Sequence, residues 1–171
     1  MQSSRTKTLV VSALIAALYV VLSVVPGVFN LASGAIQFRV SEGLNHLVVF
    51  SRKYVLGVVI GVVIFNALFS SMGWIDVVFG GGQSLLGLLL VAWLAPRFKA
   101  LWQRLLFNIV VMTVTMALIA VEIVWTSHLA MGAAFWGIYA SLMLSEALIM
   151  TITAPIMAGL DRALHFQRLI Q

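Results

Sequence analysis

LVVSALIAALYVVLSVV, residues 9–25, is the stretch on which the fold turns. It carries no charge, follows Arg5 and Lys7, and ends at Pro26-Gly27. A secretory signal peptide opens in the same way, but its apolar core runs to only ~7–15 residues. This run is longer, and five more apolar runs follow it, so we read it as the first of six membrane spans. The second, 38–50, is short and holds Arg39, Glu42, Asn45 and His46. The others are 54–71, 74–94, 105–125 and 133–160, with 29–37 read as an external loop and 96–104 as a basic connector.

The composition agrees. Of 171 residues, 63% are hydrophobic and 9% charged, with a mean hydropathy of +1.12. A soluble domain carries ~45–50% apolar and ~25% charged residues. Six spans of ~20 residues leave about 50 positions for tails and turns. That excludes a soluble enzyme, a sizeable extramembrane domain, and nucleic-acid binding despite a pI near 10.3. There is no G-x-x-x-x-G-K-[ST] phosphate loop and no length to house an ATPase domain. Cysteine is absent, so no disulfide, thiolate metal site or redox motif is expected. The expected architecture is one all-α integral membrane domain over residues 1–171.

Ten Lys and Arg against five Asp and Glu give a net charge of +5. Arg5 and Lys7 precede span 1, Arg52 and Lys53 separate spans 2 and 3, Arg97, Lys99 and Arg104 separate spans 4 and 5, and Arg162 and Arg168 follow span 6. The three opposite connections hold none. Positive-inside asymmetry puts both termini in the cytoplasm and requires an even number of spans. Arg39, at the outer end of span 2, is the exception.

An ionisable side chain inside a bilayer costs at least ~2.5–3.5 kcal/mol, so each one needs a reason. Counting along the oriented spans puts Arg39 and Glu42, Asn66 and Ser70, Asp76, and Glu122 near outer ends. Glu146 falls ~20 Å into span 6 at 1.5 Å per residue. Helical periodicity aligns Arg39, Glu42 and His46; Asp76, Gly80, Gln83 and Gly87; Asn108, Thr115 and Glu122; and Trp136, Met143, Glu146 and Met150. Such stripes face a bundle interior. Mutual pairing accounts for part of the set: Arg39 with Glu42, and Asn66 and Asn108 as interhelical hydrogen-bonding groups. One arginine does not neutralise four carboxylates. Either burial protonates some of them, or the cluster awaits a cation or hydrogen-bond donor from outside, in a ligand site open to the exterior.

Other motifs are read as structural. His46 and His128 lack metal-ligand spacing. Gly80-Gly81-Gly82 has no following Lys-Ser/Thr and suits a close helix crossing, as does Gly57-x-x-x-Gly61. Tyr54, Trp74, Trp93, Trp102 and Trp125 suit an interfacial belt, whereas Trp136 is placed to stack on a ligand. Ala13-x-x-x-Ala17 fits either an intrachain crossing or a flat surface for another membrane subunit, and spacing alone leaves both open.

Ile36-Gln37-Phe38-Arg39-Val40-Ser41-Glu42, after a Gly-containing loop, resembles the span-2 signature of the QueT family. The likeness extends to ALIAALYVVL (13–22), to residues 61–66, to GWIDVVFG (73–80), to Leu106-Phe107-Asn108 and to Ser145-Glu146-Ala147. It departs at Gly81-Gly82-Gln83-Ser84, where the family tends to a small residue and a Thr, and at Gly43, where Ala is usual. The family comprises substrate-binding (S) components of energy-coupling-factor (ECF) transporters assigned to queuosine precursors. The resemblance implies an S-component-like six-helix bundle in the prokaryotic cell (inner) membrane. It would dock on a transmembrane coupling subunit through Ala13 and Ala17, and ATP would be used by two partner ATPases, with no cofactor in this chain. The implied ligands are 7-deazaguanines. Arg39 is then expected to donate to the ligand carbonyl with Glu42 orienting it, Glu146 or Glu122 to accept the N–H edge, and Asp76 to hold an ammonium. Asn66, Gln83 and Asn108 would complete the hydrogen bonds, and Trp136 would stack on the ring. An S component for another vitamin and an ion-coupled secondary transporter are the competing readings. A membrane enzyme is not expected, because no nucleophile–base or metal constellation has suitable spacing.

Overall fold

A computed structural model describes residues 2–28 and 39–171. The loop expected over 29–37, and Ile36-Gln37-Phe38 of the quoted motif, lie outside the described residues. Helix α1 (Gln2–Val28) runs through Pro26-Gly27, where the sequence suggested an end. There follow a 3-10 helix (Val40–His46) leading into one α-turn, α2 (Leu47–Phe50), then α3 (Tyr54–Phe69) and α4 (Trp74–Leu94). Helices α5 (Leu101–Thr115), α6 (Ala117–Thr126), α7 (Ala133–Leu164) and the short α8 (Phe166–Leu169) complete the chain. No strand occurs among the described residues.

Among the described residues, four stretches are long and apolar enough to cross a membrane: Arg5–Val25, Trp74–Arg97, Leu101–Thr126 and Ala133–Leu164. The apolar α3 is shorter, 16 residues, or about 24 Å at 1.5 Å per residue. The second expected span differs most. Its 3-10 and α segments together rise only about 20 Å, less than a ~30 Å hydrocarbon core. The fifth is broken at Met116 into α5 and α6, whose amide turns back to the Thr113 carbonyl at 3.3 Å. The Val114 carbonyl beside the break accepts from the Tyr139 hydroxyl at 3.1 Å.

Polarity is distributed inside out. Glu42, Asn45, His46, Asn66, Gln83, Asn108, Glu122 and Glu146 are buried, while many large leucine, valine and isoleucine side chains are exposed along the helices. In water such a surface would be an aggregation hazard; against lipid it is the required one.

Glycines set the crossings. A Cβ on Gly57 would lie 2.9 Å from the Ser12 carbonyl oxygen, and one on Gly61 2.6 Å from Tyr19 Cβ, so α1 lies against α3 through residues 12, 15, 16 and 19. Gly80 makes the same room for the Asn66 side chain at the α3–α4 crossing, and Gly87 for Met112 on α5. Gly43 abuts Thr153 of α7, where a Cβ would meet a methyl at 2.8 Å. That is a local reason for glycine where alanine is usual.

At one end of the bundle the chain folds back on itself. Lys7 Nζ donates to the Arg168 carbonyl at 3.1 Å, Lys53 Nζ to the Ile170 carbonyl at 2.9 Å, and the Tyr54 hydroxyl to the Phe166 carbonyl at 2.8 Å. Tyr54 is therefore buried and not part of an aromatic belt, unlike the exposed Trp74, Trp93, Trp102 and Trp125. At this end Asp161 Oδ1 accepts from the Phe166 amide at 2.9 Å; the other four carboxylates, Glu42, Asp76, Glu122 and Glu146, lie elsewhere along the helices.

Candidate functional site

Arg39 caps the N-terminus of the 3-10 helix, its carbonyl accepting from the Glu42 amide at 3.0 Å. Its charge interacts with those of Glu42, Asp76 and Glu146, and with Glu122. Five ionisable groups from four regions of the chain thus act on one another. A hollow of about 20 Å³ is lined by Arg39, Met116, Ile119, Leu142, Ser145 and Glu146. It has room for about one water. The break between α5 and α6 opens directly onto it.

The 3-10 geometry alters the expected alignment around Glu42. With three residues per turn, position 45 rather than 46 stacks under 42. Asn45 Nδ2 donates to Glu42 Oε2 at 2.7 Å, and the Tyr19 hydroxyl donates to Oε1 at 2.7 Å. Both oxygens of Glu42 are satisfied by the protein. His46 turns away into the α5–α7 interface, where Nε2 donates to the Met150 carbonyl at 2.9 Å and Nδ1 accepts from Asn108 Nδ2 at 3.0 Å. That pattern fixes a neutral imidazole protonated on Nε2. Among the described residues, no group of three His, Cys, Asp or Glu is arranged to hold a metal ion.

The amides expected at the site are engaged elsewhere. Asn66 Nδ2 donates to the Asp76 carbonyl oxygen at 2.8 Å and staples α3 to α4. Gln83 Nε2 donates to Thr115 Oγ1 at 2.8 Å, and Gln83 Oε1 accepts from Ser84 at 3.2 Å, linking α4 to α5. Asn108 is spent on His46. Trp136 is not brought to the cluster either: it is 65% exposed and packs edge-on against Phe135. Ten residues from Trp136 to Glu146 turn a helix about 80° short of three full turns, so the two do not share a face.

What remains is short of donors. Ser70 Oγ donates to Asp76 Oδ2. Glu122 is fully buried, and Asp76 acts on it electrostatically. Among the described residues, no hydrogen-bond donor reaches either Glu122 oxygen or Glu146 Oε1, and the same holds for Asn45 Oδ1 and Asn108 Oδ1. Buried acceptors of this kind are costly unless something supplies donors.

Sequence reasoning passed over Tyr19, Ser41 and Asn45. A signal was present in the spacing of Ser12, Ala16, Tyr19 and Ser23, a small and polar stripe on an otherwise apolar helix. Ala13 and Ala17 lie off that stripe and are exposed. They border an apolar groove of about 600 Å³ between α1 and α3, which also includes Leu56, Ile60 and Ile64. The α1–α3 crossing is made by Gly57 and Gly61 and does not use these alanines.

No solved structure matches the chain. A relative in Lactococcus lactis subsp. cremoris (strain MG1363), described as Queuosine precursor transporter QueT, is 38% identical over 155 residues, covering 84% of this chain and 90% of that protein. The profile described as QueT transporter matches residues 9–162, which takes in every helix that carries the buried acidic cluster. With its lipid-compatible exterior and buried polar interior, the chain is a multi-pass membrane transport protein rather than an enzyme, and it belongs to the QueT transporter family.

Proposed function

We propose that this protein is the substrate-binding (S) component of an energy-coupling-factor transporter that captures a queuosine precursor, a 7-deazaguanine, from outside a prokaryotic cell. In this reading it is a six-span bundle with both termini cytoplasmic. The observation that carries the ligand class is the set of buried carboxylate oxygens, two on Glu122 and one on Glu146, that have no donor among the described residues.

A deazaguanine edge offers two N–H donors beside one carbonyl, and its aminomethyl form adds an ammonium. Glu146 accepts the N–H edge, as carboxylates do in charge-assisted bidentate pairs. Arg39, across the same hollow, donates to the carbonyl. The ammonium lies between Asp76 and Glu122, where two like charges face each other and a cation relieves their repulsion. Glu42, saturated by Tyr19 and Asn45, orients Arg39 and does not touch the ligand. Such a ligand exceeds the 20 Å³ hollow, so capture parts the 3-10 segment from α6 and α7. A membrane coupling subunit seats against Ala13 and Ala17 in the α1–α3 groove, and two ATPase subunits on it drive release inward.

Calorimetric titration of the purified protein with the aminomethyl-deazaguanine tests the reading. Saturable binding that is lost in Glu146→Gln supports it; no binding, with a different vitamin identified by mass spectrometry after mild purification, overturns the ligand. The facing Asp76 and Glu122 also suit a carrier of a coupling ion. Uptake that survives ATP depletion but collapses with an uncoupler would favour that second reading.

A further inference from the structure

Tyr19 lies on the apolar α1 but is only 2% exposed, packed over Gly61. Its hydroxyl donates to Glu42 Oε1 at 2.7 Å. One turn on, Ser23 Oγ donates to the Tyr19 carbonyl at 2.8 Å and lies 2.7 Å from Ser41 Oγ. Two adjacent turns of α1 are thereby tied to the 3-10 helix, at Ser41 and Glu42. Asn45 holds the other Glu42 oxygen from within that helix. The carboxylate has no freedom left, and it is the strongest charge partner of Arg39, the residue that caps the same helix.

Resting on the capture role proposed for Arg39, we infer that Tyr19 is a positioning residue for substrate selection. By saturating Glu42 it keeps that carboxylate from drawing the guanidinium back, so that Arg39 points across the hollow toward the ligand carbonyl. Without the hydroxyl, Glu42 Oε1 is a buried acceptor with no donor, and Arg39 is the cation beside it that supplies one. The segment then rotates about the remaining Ser23–Ser41 contact. Tyr19 thus reads the ligand's carbonyl through two intermediaries without touching it.

One test needs no ligand. The chain has no cysteine, so Val40→Cys introduces a single site for a nitroxide at the exposed start of the 3-10 helix. Tyr19→Phe is expected to raise the label's mobility. Tyr139→Phe, which removes a hydroxyl bonded to the Val114 carbonyl of α5 and not to the 3-10 segment, is expected to leave it unchanged. An unchanged spectrum in Tyr19→Phe overturns the inference. The second test compares affinity for aminomethyl-7-deazaguanine with that for the analogue bearing an amino group in place of the carbonyl. Tyr19→Phe is expected to weaken the carbonyl form ~10-fold and the amino form less than ~2-fold. Equal loss for both would mean a general packing role and overturns the inference. If the unmodified protein binds neither compound, the capture reading fails, and the nitroxide spectrum still decides whether Tyr19 anchors the Arg39 segment.

Discussion

Replacing Asp76 by Asn separates the ammonium subsite from the rest of the proposed site. Asparagine has nearly the same shape, and its Oδ1 still accepts from Ser70, whose hydroxyl now bonds Asp76 Oδ2. The Asn66 staple runs to the backbone carbonyl of residue 76 and is untouched. The substitution therefore removes charge and little else. A hydrogen bond to a charged group is worth ~1.5–3 kcal/mol, which corresponds to about 10- to 150-fold in affinity. Asp76 is only partly buried, and Glu122 remains to hold the ammonium, so the lower limit applies: about tenfold. The uncharged nitrile analogue has no ammonium, and its affinity is expected to change by less than about twofold. Both are measured by calorimetry on the same detergent-purified protein. Equal weakening of amine and nitrile would refute the assignment of the ammonium to this carboxylate pair.

Three further outcomes follow from the packing. Ala13→Trp or Ala17→Trp is expected to abolish cellular uptake while leaving the binding constant of the purified protein unchanged, because both alanines are exposed and outside the α1–α3 crossing; lost binding would return them to an internal role. Gly61→Val adds atoms where even a Cβ would stand 2.6 Å from Tyr19 Cβ, and is expected to lower stability by ~1–3 kcal/mol, read as a fall in thermal midpoint in detergent. Trp136→Ala and Gln83→Leu are each expected to leave ligand affinity unchanged, with Gln83→Leu alone lowering the midpoint, since Gln83 ties α4 to α5; a large affinity loss in either would put that residue back in the site.

The long helices were legible because one physical signal dominates them. α4 has the bounds read from the sequence, Trp74 to Leu94, since Gly73 starts it with φ +60 and the connector after it is basic and proline-bearing. Where two signals compete, sequence reading loses detail. The run around Met116 is apolar but for Thr113 and Thr115, and nothing in its periodicity marks the break into α5 and α6; Thr115 bonds back to the Met112 carbonyl, and Tyr139 reaches Val114 from a distant part of the chain. The segment from Val40 to His46 was read with a 3.6-residue period. Its 3-10 form moves His46 off the Glu42 face and puts Asn45 on it.

The same limit applies to the site, with a more useful outcome. Sequence reading identified polar residues that a membrane bundle must bury, and that inventory included most of the groups that interact with Arg39. It did not distinguish residues whose hydrogen bonds are complete from those whose bonds are not, because completion depends on partners far away in the chain. Asn66, Gln83 and Asn108 each find a protein partner and stabilise helix pairs. Glu42 finds two, one of them from α1, 23 residues earlier. Among the described residues none reaches either Glu122 oxygen or Glu146 Oε1, although at 0% and 4% exposure both acids are deeply buried. Helix-stapling groups gain stability by being saturated, so selection for the fold alone would remove donorless carboxylates from the interior. Beside an arginine and a small hollow they suit the proposed site for an N–H-rich cation, and on that proposal Asp76→Asn, Glu122→Gln and Glu146→Gln are expected to lose ligand before they lose fold.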